Sequence, residues 1–300
     1  MLKEKTIVLA VSGSIAAYKI PNLARMLKKE GADVQVLMTR NAAQFITPVT
    51  FESLTGNKCL IDTFDRNFKY SVEHVALAKR ADVVMIAPAS ANVIGKIACG
   101  IADDMLTTTV MACPCKKIVA PAMNHNMYHN PIVQDNLSRL SSFGYEILSP
   151  ECGMLANGDE GDGRMPDEAV LFQHILKETA FEKDLSGKKI LVTAGATRES
   201  IDPVRFITNH SSGKMGYAIA HAAMLRGADV TLVSGPTALK YPPLVRTIPI
   251  VTAQDMYEAV TREAEHADII IKAAAVADYT PETVADNKIK KSDSDLSIPL

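Results

Sequence analysis

A pattern that starts a parallel α/β unit, an apolar run followed by small residues and then an amphipathic stretch, opens twice in this chain, at residues 6–19 and again at residues 188–217. This commits the sequence to two units in tandem rather than one core. Short apolar runs at residues 6–11, 33–39, 82–87, 117–120 and 145–149 alternate with helical patterns, and the scheme restarts with runs at 189–193, 229–234, 245–251 and 268–272. Runs so continuous in Val, Ile and Leu are those covered on both faces, so the fold class is α/β, two Rossmann-like doubly wound parallel-sheet domains. Gly31-Ala32-Asp33-Val34 recurs as Gly227-Ala228-Asp229-Val230, and Ala81-Asp82-Val83-Val84 as Ala267-Asp268-Ile269-Ile270. These echoes reflect a shared α/β grammar rather than a true repeat. The polar stretch 178–187 divides the chain, giving domains of residues 1–182 and 183–300.

A net charge of −2 provides no field that would draw nucleic acid or an anionic membrane, so neither is expected as a partner, and anionic ligands must be held by local groups. Five scattered cysteines, an odd number, indicate reduced thiols and a cytoplasmic setting. Lys3 and Lys5 precede an apolar run, but it breaks at Ser12-Gly13-Ser14 with no cleavage pattern, and no run reaches membrane-spanning length.

In open α/β sheets ligands gather at the carboxyl ends of strands. Ser12-Gly13-Ser14-Ile15 follows the first strand, where small residues let backbone amides approach a phosphate and the serines add hydroxyl donors. No glycine triplet follows, so a mononucleotide phosphate fits better than a dinucleotide, with a plain tight turn as the other reading. Ser90, in Ala87-Pro88-Ala89-Ser90-Ala91-Asn92, is placed to cap a helix while facing the same crevice. In Pro121-Ala122-Met123-Asn124-His125-Asn126-Met127-Tyr128, Asn124 could hold a carboxylate or amide. His125 and His129 have metal-ligand spacing on a helix, but no third ligand is evident nearby and Pro131 places the helix start after them, so the metal ligands are unknown. His74, on an apolar pattern before a strand, reads as structural from spacing alone. Residues 153–165, rich in glycine and acidic residues, read as a mobile loop that is either a lid or an ordinary surface turn.

Taken together, Ser12-Gly13-Ser14-Ile15-Ala16-Ala17, Ser90-Ala91-Asn92, Pro121-Ala122-Met123-Asn124 and Gly158-x-x-Gly161-x-Gly163-Arg164-Met165 resemble the flavin-dependent phosphopantothenoylcysteine decarboxylases, which have a flavodoxin-like fold. The second half, with Thr193-Ala194-Gly195-Ala196-Thr197-Arg198-Glu199, Asn209-His210-Ser211-Ser212-Gly213-Lys214-Met215-Gly216 and Lys272-Ala273-Ala274-Ala275-Val276-Ala277-Asp278-Tyr279, resembles phosphopantothenate–cysteine ligase. In this order they resemble the bifunctional family of coenzyme A biosynthesis over essentially the whole chain.

The resemblance implies that CTP, with Mg²⁺, activates 4'-phosphopantothenate for ligation to cysteine. The product, 4'-phosphopantothenoylcysteine, then undergoes FMN-dependent oxidative decarboxylation to 4'-phosphopantetheine, because oxidation to a thioaldehyde creates the electron sink that loss of carbon dioxide needs. It assigns FMN to Gly13, Ser14, Ile15, Thr39, Ser90, Asn92, Ala122 and Met123, an active-site role to His74, and the substrate carboxylate to Asn124. In the ligase half it assigns the acyl intermediate to Asn209, the CTP site to Lys272, Ala273, Ala274 and Asp278, and the phosphates to Lys288. It also implies a homo-oligomer built from trimers, up to a dodecamer, with a histidine from a neighbouring subunit completing the site. The family's flap carries a proton-donating cysteine where this sequence has Asn157, and a primary amide is a poor acid beside a thiol of pKa about 8.5. The expectation is a decarboxylase that stalls at the oxidised enethiol with the flavin left reduced. The competing class is a non-catalytic flavin-binding regulatory subunit. Ligases of this family extend beyond the point matching Leu300, so the ligase half is expected to be weak as an incomplete domain.

Overall fold

The computed structural model describes residues 1–63, 73–154, 160–290 and 297–300, and the chain forms two compact units, Met1–Ala180 and Phe181–Leu300. In the first unit the strands are β1 (Thr6–Val11), β2 (Asp33–Met38), β3 (Val83–Ala89), β4 (Lys116–Pro121) and β5 (Glu146–Ile147), followed by the hairpin strands β6 (Glu151–Met154) and β7 (Glu160–Arg164). Its helices are α1 (Ile20–Lys29), α2 (Ala42–Phe45), α3 (Pro48–Thr55), α4 (Glu73–Arg80), α5 (Ala91–Ala98), α6 (Met105–Ala112), α7 (His125–Tyr128), α8 (Pro131–Ser142) and α9 (Glu168–Thr179). The main sheet is wholly parallel in the order β2-β1-β3-β4-β5, the flavodoxin-like order whose switch point lies between β1 and β3. Every residue of β1 and β3 is buried, as expected of strands covered on both faces. Val84 and Ile86 of β3 pack in one apolar cluster with Ile97 of α5, Val110 of α6 and Leu137 of α8.

The second unit contains β8 (Lys189–Ala194), β9 (Arg198–Ser200), β10 (Phe206–Thr208), α10 (Lys214–Leu225), β11 (Asp229–Ser234), β12 (Arg246–Pro249), α11 (Ala253–Ala264) and β13 (Ile269–Lys272). Its parallel sheet runs β12-β11-β8-β13, a Rossmann-type order that switches direction between β8 and β13. β8 is buried beyond its first residue. β13 departs from the two-faced burial its sequence implies, because Ile269 and Ile270 are 39% and 45% exposed. The cause is topological: β13 is the edge strand of the sheet and pairs only with β8 among the described residues.

Two further departures concern the loops. Of the glycine-rich segment read as a mobile loop, the described residues 153–154 and 160–164 pair in antiparallel strands β6 and β7, with Gly153 opposite Gly161. Ser12 does not offer its hydroxyl to a ligand. The side chain is fully buried, donates to the Pro88 carbonyl at 2.7 Å and accepts the Ser90 amide at 2.8 Å, so it ties the β1 and β3 loops together at the switch point. Ser12→Ala leaves the Ser90 amide without that acceptor, an expected loss of about 2 kcal/mol. For a unit of this size the melting temperature should fall by roughly 4–8 °C in calorimetry, whereas an unchanged midpoint would mean that water replaces the hydroxyl.

Candidate active site

Where β1 and β3 diverge, a cavity of about 890 Å³ opens, within the range of small-molecule and cofactor pockets. Gly13, Thr39, Ser90 and Asn92 line it, so four of the residues assigned from sequence come together. Gly13 has no room for a side chain, because a Cβ there would stand 2.6 Å from the Asn41 Cβ. Thr39 accepts the Ala42 amide at 3.1 Å, which fixes its hydroxyl at the cavity wall. Ser90 caps α5, accepting the Val93 amide at 3.5 Å, and the helix N-terminus directs its positive end to the same space.

Sequence reasoning missed the opposite wall. Lys96 pairs with Asp103 at 2.6 Å and Asp104 at 3.2 Å, and Asp104 also caps α6 in a reciprocal box with Thr107. The hydrogen bond to Asp103 raises the Lys96 pKa, and the same bond lowers that of Asp103, so the lysine remains a cation beside the cavity. The only signal for this wall was the Asp-Asp pair ahead of an apolar helix, which reads as a cap.

Other assigned residues lie outside this lining. Ser14 accepts the Ala16 amide at 3.4 Å, capping the short 3-10 turn Ile15–Lys19, and Ile15 is 54% exposed. Ala122 and Met123 are in the turn after β4, held by their amides to Ala89 and Gly163 carbonyls, each at 3.0 Å. Asn124 caps α7 by accepting the Asn126 amide at 2.9 Å, which fixes the side chain and leaves its Nδ2 hydrogens as donors suited to a carboxylate. His74 sits half-buried in the first turn of α4. Asn157 lies outside the described residues.

In the second unit Thr193, Lys272, Ala273 and Ala274 meet at the β8/β13 switch point. The Thr193 hydroxyl accepts the Ala273 and Ala274 amides at 3.1 and 3.2 Å, fixing the backbone that follows Lys272. Asn209 donates one Nδ2 hydrogen to the Val276 carbonyl at 2.9 Å, which orients its side chain. Asp278 and Lys288 are exposed. Asp202, unremarked from sequence, is a fully buried carboxylate holding the Arg205 guanidinium and the amides of Val204, Arg205 and Ile289. Arg205 in turn donates to the Ile289 carbonyl at 2.7 Å, so this pair clamps the backbone directly after Lys288.

The Flavoprotein family model matches residues 1–180, and the model of the DNA/pantothenate metabolism flavoprotein C-terminal domain matches residues 185–300. With the two switch points above, these define a tandem α/β enzyme with a flavoprotein fold in its first half. Coenzyme A biosynthesis bifunctional proteins CoaBC are similar across the chain: that of Vibrio vulnificus (strain YJ016) is 50% identical over 97% of this chain and 73% of its own, and that of Bacillus subtilis (strain 168) 47% identical over 100% and 75%. The chain belongs to this CoaBC family and is a bifunctional decarboxylase and ligase of coenzyme A biosynthesis. Among solved structures, a Cys-to-Ser variant of PPC decarboxylase complexed with pantothenoylaminoethenethiol is 31% identical with a TM-score of 0.52, covering 58% of this chain and 97% of its own. The FMN-binding protein AtHal3 is 31% identical with a TM-score of 0.50, covering 58% and 95%.

Proposed function

We propose that residues 1–182 carry an FMN-dependent decarboxylase acting on 4'-phosphopantothenoylcysteine, and residues 183–300 a CTP-dependent phosphopantothenate–cysteine ligase domain. The cavity at the β1/β3 switch carries the first reading. Its size, the side-chain-free approach at Gly13, the Thr39 hydroxyl and the α5 N-terminus fit a phosphorylated ring system with hydrogen-bonding edges. Ile15, Ser14, Ala122 and Met123 belong to the loops bordering that crevice. When bound, FMN supplies the electron acceptor that turns the cysteinyl carbon into a sink for the leaving carboxylate's electrons. Asn124, locked by its bond to Asn126, orients that carboxylate, His74 takes the active-site role, and a histidine from a neighbouring subunit completes the site in a trimer-based homo-oligomer.

In the ligase half, Mg²⁺·CTP enters as a substrate complex. Lys272, Ala273, Ala274 and Asp278 border the nucleotide, Lys288 meets its phosphates, and Asn209 holds the acyl-cytidylate while cysteine's amine displaces the nucleotide monophosphate. Both substrates and products are soluble small molecules, consistent with a cytoplasmic enzyme. No helix among the described residues is long and apolar enough to cross a membrane.

Asn157 cannot match a thiol as proton donor, so the reaction should stop at an enethiol two hydrogens short of 4'-phosphopantetheine. Mass spectrometry after incubation with 4'-phosphopantothenoylcysteine tests this: the unaltered chain should accumulate the enethiol, and Asn157→Cys should carry it to the thiol over many turnovers. Full conversion by the unaltered chain would refute the stall. A purified protein lacking flavin absorption would refute the cofactor, and a yellow protein inert toward the substrate would favour the regulatory subunit.

A further inference from the structure

Beside the substrate loop lies a cluster that none of these roles uses. His125 opens α7 and His129 closes it, and one helical turn of separation brings their ring centroids to 4.4 Å. Asp162 reaches in from β7, with its Oδ2 3.2 Å from His129 Nε2. One ligand atom from each of the three side chains lies within 4.8 Å of the others. The third ligand that the sequence did not reveal therefore comes from the hairpin, and the short α7 carries the histidines ahead of α8, which begins at Pro131 as its sequence implies.

Two observations set this cluster apart from a surface ion pair. β7 approaches α7 closely because Gly161 has no side chain; a Cβ there would stand 2.8 Å from His125 Nδ1. That nitrogen is buried and has no hydrogen-bond partner among the described residues. Buried polar atoms are nearly always satisfied, and an imidazole held against a strand with unspent bonding capacity is what a metal ligand looks like without its ion.

The geometry points to a transition-metal site formed by His125, His129 and Asp162. Two imidazoles and one carboxylate suit an ion of the Zn²⁺, Co²⁺ or Ni²⁺ class, with water at the remaining position, and disfavour Mg²⁺ and Ca²⁺, which take all-oxygen sets. On a tetrahedral ion with bonds of about 2.0–2.1 Å, donor atoms sit about 3.4 Å apart, so the His129–Asp162 pair already has its bound spacing and rotation of the His125 ring closes the site. The ion fastens β7 to the helix that Asn124 caps. The assignment stands on these side chains alone and does not depend on the proposed flavin chemistry.

Titration of the metal-stripped full chain with Co²⁺ tests it. The expected result is one tightly bound equivalent with the visible spectrum of nitrogen and oxygen ligands, displaced by Zn²⁺, together with slower hydrogen exchange in β7. Asp162→Asn and His129→Ala should each weaken binding at least tenfold, while Cys152→Ser leaves it unchanged. Should either variant fail to fold, as judged by melting without metal, His125→Gln carries the same expected loss. Unchanged affinity in the folded ligand variants, or a cobalt spectrum dominated by thiolate, overturns the assignment.

Discussion

Gly163→Ala is expected to slow single-turnover release of carbon dioxide from 4'-phosphopantothenoylcysteine by about 100-fold while ligation stays at the rate of the unaltered chain. A Cβ at this position would stand 2.3 Å from the Met123 carbonyl oxygen, and Gly163 has φ 132°, where side chains other than hydrogen are rarely found. The obstacle is backbone rather than the end of a flexible side chain, so no rotamer relieves it and the strand must retreat. Retreat breaks the bond from the Met123 amide to the Gly163 carbonyl, now 3.0 Å, and releases the turn that places Asn124. A misplacement on the order of 1 Å next to a reacting group is enough for a loss of that size. Gly100→Ala is the control, since Gly100 also has positive φ, 74°, but a Cβ there meets nothing within 4 Å. It should cost a little stability and no activity. Equal losses in both variants would show that backbone strain, and not the collision with Met123, is responsible.

The same pair of contacts explains what the sequence could and could not disclose. Both parallel sheets were legible because β1, β3, β8 and β11 are apolar runs whose burial follows from composition alone. Gly13 and Ser90 were legible as strand-end residues while Thr39 and Asn92 came only with the family resemblance, and the fold brings all four to one cavity because strand ends on either side of a switch point must diverge. The hairpin was not legible. Glycine and aspartate are poor strand formers, and β6 and β7 owe their pairing partly to the Met123 turn they lean on. Ser12 carried the right residue type and the wrong inferred role, since only the three-dimensional path shows that Pro88 and Ser90 take up its hydroxyl. Asp162 and His129 are 33 residues apart, and Asp202 and Ile289 are 87 apart, so no local pattern joins them.

The long-range contact from Asp202 should govern ligation as firmly as Gly163 governs decarboxylation: Asp202→Asn is expected to reduce ligase kcat/KM about 10–100-fold and leave decarboxylation unaffected. Burial by itself would push this carboxyl upward, but the Arg205 guanidinium and the amides of Val204, Ile289 and Arg205 more than offset it and hold the pKa well below the usual carboxylate range. The charged form is therefore bound more tightly in the folded chain than in the unfolded one. The resulting stability is complete above the unfolded carboxyl's pKa of about 3.9 and disappears as pH falls below that value toward the depressed native one. Melting temperatures of the unaltered chain and Asp202→Asn should differ at neutral pH and converge in acid. Arg205→Lys, which keeps the charge but loses the planar fork reaching both Asp202 and the Ile289 carbonyl, should impair ligation more than it alters the acid transition. A melting gap independent of pH would remove the carboxylate from this role, and normal ligation in Asp202→Asn would show that Lys288 needs no such clamp.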